Sequence, residues 1–199
     1  MMRQVGRWLR KGRAELRQFC RARGNVSGMA LVFQYGSNCF VDRINGPSRL
    51  DGVARVVGTA HTIEDYSLVF DVWSDGNRCA TSDIMRAAGK KVWGVVYDIP
   101  DDFVRGRRND GRKTLEQIEG RRYCETTVRV RLANGEKRDA TTFVVRTESR
   151  EDGLRTSAEY VSYIVRGLRE QGVCDDYIRE VKRIATENNP TIGQAVEAL

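Results

Sequence analysis

One short segment combines a sharp turn with side chains that could hold an anion. An apolar strand predicted over 30–35 runs directly into Gly36, Ser37 and Asn38. Glycine permits backbone conformations closed to other residues, and consecutive N–H groups at such a turn can form an anion-binding nest. Ser37 and Asn38 add a hydroxyl and an amide. The segment is therefore a candidate binding site, although the same pattern is also typical of a plain turn.

A second candidate is a carboxylate at the end of a short predicted helix. The helix is predicted over 113–119 and carries Glu116 and Glu119, with Gly120 as its C-terminal cap. A solvated helix face is the simplest interpretation of this pair. Glu119, however, would lie at the negative end of the helix dipole, which disfavours its ionised form, and burial would raise its pKa further. A raised pKa suits a general acid/base near neutral pH, unless the two arginines after Gly120 turn toward the carboxylate.

The cysteines and the histidine predict no metal site. Cys39 and His61 could act as a nucleophile and its base only if the fold brought them together, and cysteine is commonly buried as a small hydrophobe. No two of the five cysteines have a CxxC spacing, and His61 is the only histidine. A structural zinc site is therefore not expected. Scattered cysteines in odd number favour a reducing, cytoplasmic location over secretion.

The elements that must position these candidates follow an order along the chain, with the strands first and most of the helices late. This order predicts an α+β domain on an antiparallel or mixed sheet. A helix is predicted after a capping box of Thr156 and Glu159, and residues 101–112 are predicted to be a loop. The predicted strands cover 30–35, a β-rich stretch over 56–73, 80–85, 92–99, 125–132 and 140–146, and the last helix covers 175–188.

Composition and charge divide the chain into a body and a basic tail. With 199 residues and 40% hydrophobic residues, the chain is typical of a globular protein, and no apolar run approaches the ~20 residues of a membrane span. Residues 1–24 hold eight Arg or Lys residues and one Glu, so the whole net charge of +7 lies there. We expect residues 1–28 to be an extension and linker, with Met29 as a possible native start, and 29–199 to be the domain. Only the tail could then bind nucleic acid or an anionic surface.

Four motifs, in order, resemble one known family. They are Val32-Phe33-Gln34-Tyr35-Gly36-Ser37-Asn38, then Val92-Trp93-Gly94-Val95-Val96-Tyr97, then Leu115-Glu116-Gln117-Ile118-Glu119-Gly120 with Tyr123, and finally Tyr160-Val161-Ser162-Tyr163-Ile164 with Gly167, Gly172 and Tyr177. Over about residues 30–185 the chain resembles the γ-glutamyl cyclotransferase-like superfamily. That superfamily includes γ-glutamylcyclotransferase, γ-glutamylamine cyclotransferase and the plant AIG2-like proteins.

The resemblance implies a compact mixed fold around a small β-barrel, with no cofactor and no metal. It implies release of 5-oxoproline and a free amine from a small γ-glutamyl amide. The substrate's own α-amine would attack its γ-carbonyl, so the protein needs no nucleophile. Position by position, Glu119 matches the catalytic acid/base. The residues matching the glutamyl-binding loop and a pocket tyrosine are Tyr35, Gly36, Ser37, Asn38 and Tyr123.

The resemblance leaves the leaving amine open. A γ-glutamyl amino acid or dipeptide is the leading expectation, and another γ-glutamylamine, such as γ-glutamyl-ε-lysine, is the close alternative. Glutathione is less favoured, because Asn38 follows Tyr-Gly-Ser where the glutathione-specific branch has another residue. A non-catalytic binding protein of the same fold is a further alternative, against which Glu119 argues. Monomer and homodimer both remain open.

A basic loop precedes the helix that carries Glu119. We hypothesise that it shapes the entrance to the site and favours an acidic leaving group, although a solvated loop would have the same composition. Its basic residues are Arg105, Arg107, Arg108, Arg112 and Lys113.

Overall fold

A computed structural model describes residues 28–199, so the basic segment 1–24 and most of its linker lie outside the described residues. The described chain is a mixture of strands and helices, as predicted. Its strands are β1 (Met29–Gln34), β2 (Arg55–Thr62), β3 (Tyr66–Ser74), β4 (Cys79–Arg86), β5 (Trp93–Pro100), β6 (Tyr123–Leu132) and β7 (Lys137–Val145). Its helices are α1 (Val41–Ile44), α2 (Asp101–Val104), α3 (Leu115–Glu119), α4 (Ala158–Glu170), α5 (Asp175–Asn188) and α6 (Gly193–Glu197).

Five strands close into a small barrel in the order β1-β5-β2-β6-β7. Neighbours pair antiparallel, except that β7 closes the barrel by pairing parallel to β1, with Val32 opposite Thr141. The two central apolar strands, β1 and β5, run antiparallel, and their side chains fill the core together with those of α4. The expected α+β fold with a mixed β-barrel and flanking helices is confirmed.

The remaining strands, β3 and β4, form a separate two-stranded sheet. One buried aspartate ties this sheet to the end of β7 and to the segment that follows it. Asp83 of β4 is fully buried, accepts a hydrogen bond from the Val145 N–H at 2.9 Å, and pairs with Arg150 at 2.8 Å. A buried charge is tolerated only when it is paired and hydrogen-bonded, and both conditions hold here. The pair therefore fixes the sheet beside the end of β7.

Helix α4 packs its apolar face on the barrel and its one glycine on the turn after β1. Val161, Ile164 and Leu168 are fully buried, as the predicted periodicity requires. A Cβ atom on Gly167 would lie 2.2 Å from the carbonyl carbon of Cys39 and 2.3 Å from the backbone nitrogen of Phe40. Backbone atoms cannot move aside as a side chain can. Gly167 therefore permits the close packing of α4 against the backbone of the turn at Cys39 and Phe40.

The predicted β-rich stretch over 56–73 consists of two strands, separated by residues 63–65. Three local predictions need correction. Helix α4 is capped by Ser157, which accepts from the Tyr160 N–H at 3.1 Å, and not by Thr156 with Glu159. The loop over 101–112 begins with the single-turn helix α2, and α6 follows the last predicted helix.

None of the helices in residues 28–199 has the length and hydropathy needed to cross a bilayer.

The contact at Gly167 predicts a loss of stability on adding one methyl group. We expect Gly167→Ala to lower the free energy of unfolding by about 1–3 kcal/mol, because the Cβ atom overpacks a rigid backbone contact. Glu170→Ala, on the exposed side of the same helix, is the control and should change it by less than about 0.5 kcal/mol. Urea unfolding of both variants measures the difference, and equal stability would contradict the packing argument.

Candidate active site

The turn after β1 is held rigidly from both sides. Residues Ser37–Cys39 form one turn of 3-10 helix, closed by the Cys39 N–H donating to the Gly36 carbonyl at 2.9 Å. From the barrel, the Tyr97 hydroxyl donates to the Asn38 carbonyl at 2.9 Å. Tyr97 is fully buried in β5, the strand paired with β1. The turn is therefore positioned by the barrel core, with Ser37 and Asn38 buried in the protein.

Gly36 allows a close approach that the sequence did not suggest. Its φ of −102° lies outside the left-handed region that favours glycine. A Cβ atom at this position, however, would lie 2.2 Å from the Ser82 hydroxyl and 3.4 Å from the Tyr160 hydroxyl. The glycine lets two hydroxyl groups approach the backbone of the turn, which gives it a polar wall.

Asn38 connects the turn to Glu119. The Asn38 side-chain Nδ2 donates to Glu119 Oε1 at 2.9 Å, and its Oδ1 accepts from an Arg49 NH2 group at 2.5 Å. Because an amide has one donor end and one acceptor end, Arg49 sets the direction in which Asn38 points. The carboxyl group of Glu119 is thereby held against the turn.

Arg49 is itself held by the loop that follows α1. The backbone N–H of Arg49 donates to the Gly46 carbonyl at 2.9 Å. Asn45 closes the loop by exchanging two hydrogen bonds with the backbone of Ala54, at 2.9 and 3.0 Å. The backbone of Arg49 is thus fixed by local structure, independently of the attraction between its side chain and Glu119.

Burial raises the pKa of Glu119 above its ordinary value. Arg49, hydrogen bonding by the side chains of Asn38 and Gln34, and Arg43 act in the opposite direction but do not cancel the effect. The raised value was expected from the sequence, but the opposing arginines are not the two that follow Gly120. Arg122 instead donates to the Trp73 carbonyl and lies 3.6 Å from Asp75. The carboxyl group can therefore exchange a proton nearer to neutral pH than a solvated glutamate can.

Three tyrosines surround the same space. The Tyr123 hydroxyl donates to the Ser82 carbonyl at 2.8 Å and lies 3.1 Å from the Thr81 hydroxyl. Tyr160 accepts from the Ser82 N–H at 3.2 Å. Tyr35 donates to the Phe143 carbonyl at 2.5 Å. Burial raises the pKa of all three, so they stay neutral and serve as walls and hydrogen-bonding groups.

The site opens into a cleft. A cavity of about 360 Å³ reaches from the turn to the tip of the β3–β4 hairpin. A narrow inner cavity of about 30 Å³ continues behind it, toward Tyr35 and Gly36. The residues common to both cavities are Ser37, Asn38, Glu119, Tyr123 and Tyr160. The structure therefore brings together Glu119 and all five predicted binding residues.

The other sequence candidates are not part of this cleft. Cys39 is fully buried and donates to the Gln34 carbonyl at 3.1 Å, and burial raises the pKa of its thiol to about 12. His61 lies on β2 against Trp93, at 4.8 Å between ring centres. They do not form a nucleophile and its base.

The basic loop also lies apart from the cleft. None of its five basic residues lines either cavity. Arg105 pairs with Glu125 at 2.5 Å, Arg108 pairs with Asp102 and Asp110, and Arg112 pairs with Asp110 at 3.0 Å. The hypothesis that this loop shapes the entrance is therefore not supported.

Sequence reasoning missed Arg43 and Arg49, Ser82, and the role of Tyr160. The arginines lie in a segment without a motif, and Ser82 comes from a strand whose neighbour in space could not be inferred. Tyr160 could have been predicted as a site residue, since it begins the last of the four motifs. Its position at the start of an amphipathic helix favoured a core role.

Comparisons with known proteins agree with this fold. Residues 91–181 match the model of the AIG2-like family. A solved structure named γ-glutamyl cyclotransferase is 22% identical, with 78% of this chain and 87% of that chain aligned at a TM-score of 0.66. An uncharacterized protein from Homo sapiens is 24% identical, with 77% and 86% aligned at a TM-score of 0.64. YkqA from Bacillus subtilis is 21% identical over 80% of this chain and 55% of its own, at 0.62.

No curated protein matches the sequence significantly. The chain nevertheless has the γ-glutamyl cyclotransferase-like fold and, over residues 91–181, the sequence pattern of the AIG2-like family. The resemblance expected from the four motifs is therefore confirmed for the fold and for the family pattern over residues 91–181.

The raised pKa of Glu119 makes stability depend on pH in a definite direction. Its folded-state pKa lies above the unfolded value of 4.5, so its stabilising contribution is complete below that value and is lost as pH rises through the folded pKa. Glu119→Gln, which mimics the protonated form, should therefore be at least as stable as the wild type near pH 7.5. Its advantage should shrink toward about pH 4.5.

Urea unfolding across this pH range measures the effect. Glu116→Gln, the same exchange at an exposed position on the same helix, is the control. A Glu119→Gln protein that is less stable at neutral pH and gains on acidification would contradict the burial argument.

Proposed function

We propose that the chain is a γ-glutamyl cyclotransferase, which converts a small γ-glutamyl amino acid or dipeptide into 5-oxoproline and a free amine. The observation that carries this proposal is the hydrogen bond from Asn38 to Glu119, which sets one carboxyl group against a polar turn inside a cleft. A solved relative with the same fold bears that name, and the AIG2-like match supports the same class.

The reaction needs a proton carrier and no protein nucleophile. The glutamyl α-amine attacks the γ-carbonyl carbon of the same molecule, which forms the ring C–N bond. Glu119, as carboxylate, takes one proton from the α-ammonium group, which frees the amine to attack, and donates it to the leaving nitrogen as the amide C–N bond breaks. The ring nitrogen loses a second proton as it becomes the lactam N–H, and the released amine takes up a proton to become an ammonium group. Atoms and charge balance, because the two protons lost by the α-nitrogen equal the two gained by the leaving nitrogen.

The turn supplies donors for the anionic groups of the substrate. The first N–H groups of a helical turn have no partner within that turn, and Gly36 offers no side-chain cap to Ser37–Cys39. We assign the N–H groups of Ser37 and Asn38, with the Ser82 hydroxyl beside them, to the negative charge that develops on the γ-carbonyl oxygen or to the α-carboxylate. The neutral tyrosines Tyr123 and Tyr160 would exclude water around them.

Activity should depend on the ionisable carboxyl group of Glu119. We expect the wild type to release 5-oxoproline from γ-glutamyl dipeptides, and Glu119→Gln to reduce kcat/KM by about 10²–10⁴-fold, since removal of a general acid/base has that cost. The panel should include γ-glutamyl-ε-lysine and glutathione, and chromatography of 5-oxoproline measures the product.

Glu116→Gln, outside the cleft, should keep full activity. Absence of product from every γ-glutamyl compound would overturn the proposal in favour of a binding role. Equal rates for wild type and Glu119→Gln would leave the reaction standing but would remove Glu119 from it.

A further inference from the structure

Exposed apolar side chains gather at one end of the barrel. In residues 28–199, four large apolar side chains are exposed, and three of them lie at the starts of β1 and β2. The three are Met29, Val56 and Val57, which are 50%, 40% and 44% exposed, whereas Met85 lies on the separate β3–β4 sheet. A contiguous apolar patch is typical of a surface that another segment or molecule covers.

A groove of about 580 Å³ crosses this end of the barrel, between the starts of β1 and β2 and the β6–β7 hairpin. Its apolar lining comes from Met29, Leu31, Val57 and Leu132, and we call it the basal groove. Among the described residues, none lines both this groove and the two cavities of the candidate active site. Since β1 begins at the groove and ends at the turn of the site, the two lie at opposite ends of that strand.

The basal groove exists because the barrel closes incompletely at this end. Within the described chain, β7 pairs with β1 at Val32 and Thr141 alone, so the β1 residues before Val32 have no pairing on that side. On β2, the register against β5 shifts between Val56 and Gly58, and this bulge leaves Val57 out of the ladder. Unpaired strand edges are places where a further chain segment commonly binds.

The rim of the basal groove is acidic. Three carboxylates and one guanidinium lie among its lining residues. Glu136 and Asp139 already have arginine neighbours, at 2.8 and 3.1 Å. Asp98 has no ion-pair partner within residues 28–199, although Arg55 lies opposite it in the β2–β5 register. The rim therefore favours an occupant that carries positive charge.

The chain enters the described structure beside this groove. The Gly28 carbonyl accepts from the Asp101 N–H at 2.9 Å, and the next residue, Met29, already lines the groove. Residues 1–27 are therefore tethered at its edge. A ligand on a short tether has an effective concentration in the millimolar range, which a separate molecule would have to match.

The composition of residues 1–27 matches the groove. Residues 1–24 hold eight basic residues and one acidic residue, opposite in sign to the rim. Val5, Leu9, Leu16 and Phe19 follow one another at spacings of four, seven and three residues, which on a helix would place them on one side. The sequence thus offers apolar side chains for the lining and positive charge for the rim.

A second copy of the chain fits the groove less well. A twofold interface would place the same acidic rim on both of its sides. Like charges that face each other across an interface are unfavourable. Residues 1–27 carry the opposite charge and are already tethered there.

From these observations we propose that residues 1–27 bind in the basal groove of their own chain. Their apolar residues cover Met29, Val57 and Leu132, and their basic residues face Asp98 and Glu136. This contact is independent of the proposed reaction, because the groove is separate from the cleft. It places the net charge of +7 at the end of the barrel remote from Glu119.

Photo-crosslinking of the full chain tests this contact. The photoreactive residue p-benzoylphenylalanine replaces Val57 in the basal groove and, as the matched control, Met85, an exposed apolar residue outside it. After irradiation of dilute protein, peptide mass spectrometry should find crosslinks from position 57 to residues 1–27 within single chains. We expect their yield to exceed that from position 85 by about fivefold or more, because the tether alone acts at both positions.

The charge of the rim gives a second readout. Asp98→Asn should reduce the yield from position 57 by about two- to fivefold at about 0.3 M NaCl, because one exposed ion pair is lost while screening weakens the others. Asp176→Asn, at an exposed position on α5, is the control and should leave the yield unchanged.

Three results would contradict the proposed contact. Crosslinks at the mass of two chains, with a yield that falls on dilution, would assign the groove to a second copy. Equal yields from positions 57 and 85 would show that residues 1–27 do not bind there. Equal yields in Asp98→Asn and Asp176→Asn would overturn the ionic part of the contact. If the Val57 variant does not fold, the exposed Met29 is a second position in the same groove for the photoreactive residue.

Discussion

The hydrogen bond from Asn38 to Glu119 is the interaction on which the site depends. It joins two segments that are 81 residues apart in sequence, the turn after β1 and the end of α3. Arg49 fixes the orientation of the amide by donating to its other end. The partly buried carboxyl group of Glu119 is thereby held in one place, hydrogen-bonded by Asn38 and close to the positive charge of Arg49. Burial outweighs these neighbours, so the pKa of Glu119 stays raised. A raised pKa is the property that proton transfer near neutral pH requires.

The barrel and helix α4 serve this interaction by fixing the turn. Tyr97 anchors the turn from inside the barrel, and Gly167 allows the helix to support it from below. Gly36 brings the hydroxyl of Ser82 against it, so that the separate β3–β4 sheet closes the cleft. The Asp83–Arg150 pair fastens that sheet to the barrel. Together these contacts fix the backbone of the turn and of the β3–β4 sheet. A small barrel can therefore hold a site built mainly on one turn.

The sequence identified the centre of the site but not its surroundings. Glu119 and the residues from Tyr35 to Asn38 lie in short motifs at the ends of elements, where local pattern carries the signal. Arg49 could not be inferred, because its role arises from a loop that returns to the turn in space and has no periodicity. Gly36 was singled out for its backbone freedom, and the structure adds a close approach of the Ser82 hydroxyl that the sequence could not reveal. Hydrophobic periodicity predicted α4 and most strands, but the 63–65 break and the Ser157 cap depend on contacts that alternation does not reveal.

The most direct test of the account is a measurement of the pKa of Glu119 by NMR of glutamate labelled with ¹³C at the δ carbon. Comparison with Glu119→Gln assigns the resonance. The account predicts a pKa above 4.5 in the wild type, and a still higher value in Arg49→Gln, because that variant removes the opposing positive charge. A pKa at or below 4.5, or no change in Arg49→Gln, would contradict the claim that burial and Arg49 together set the proton affinity of this carboxyl group.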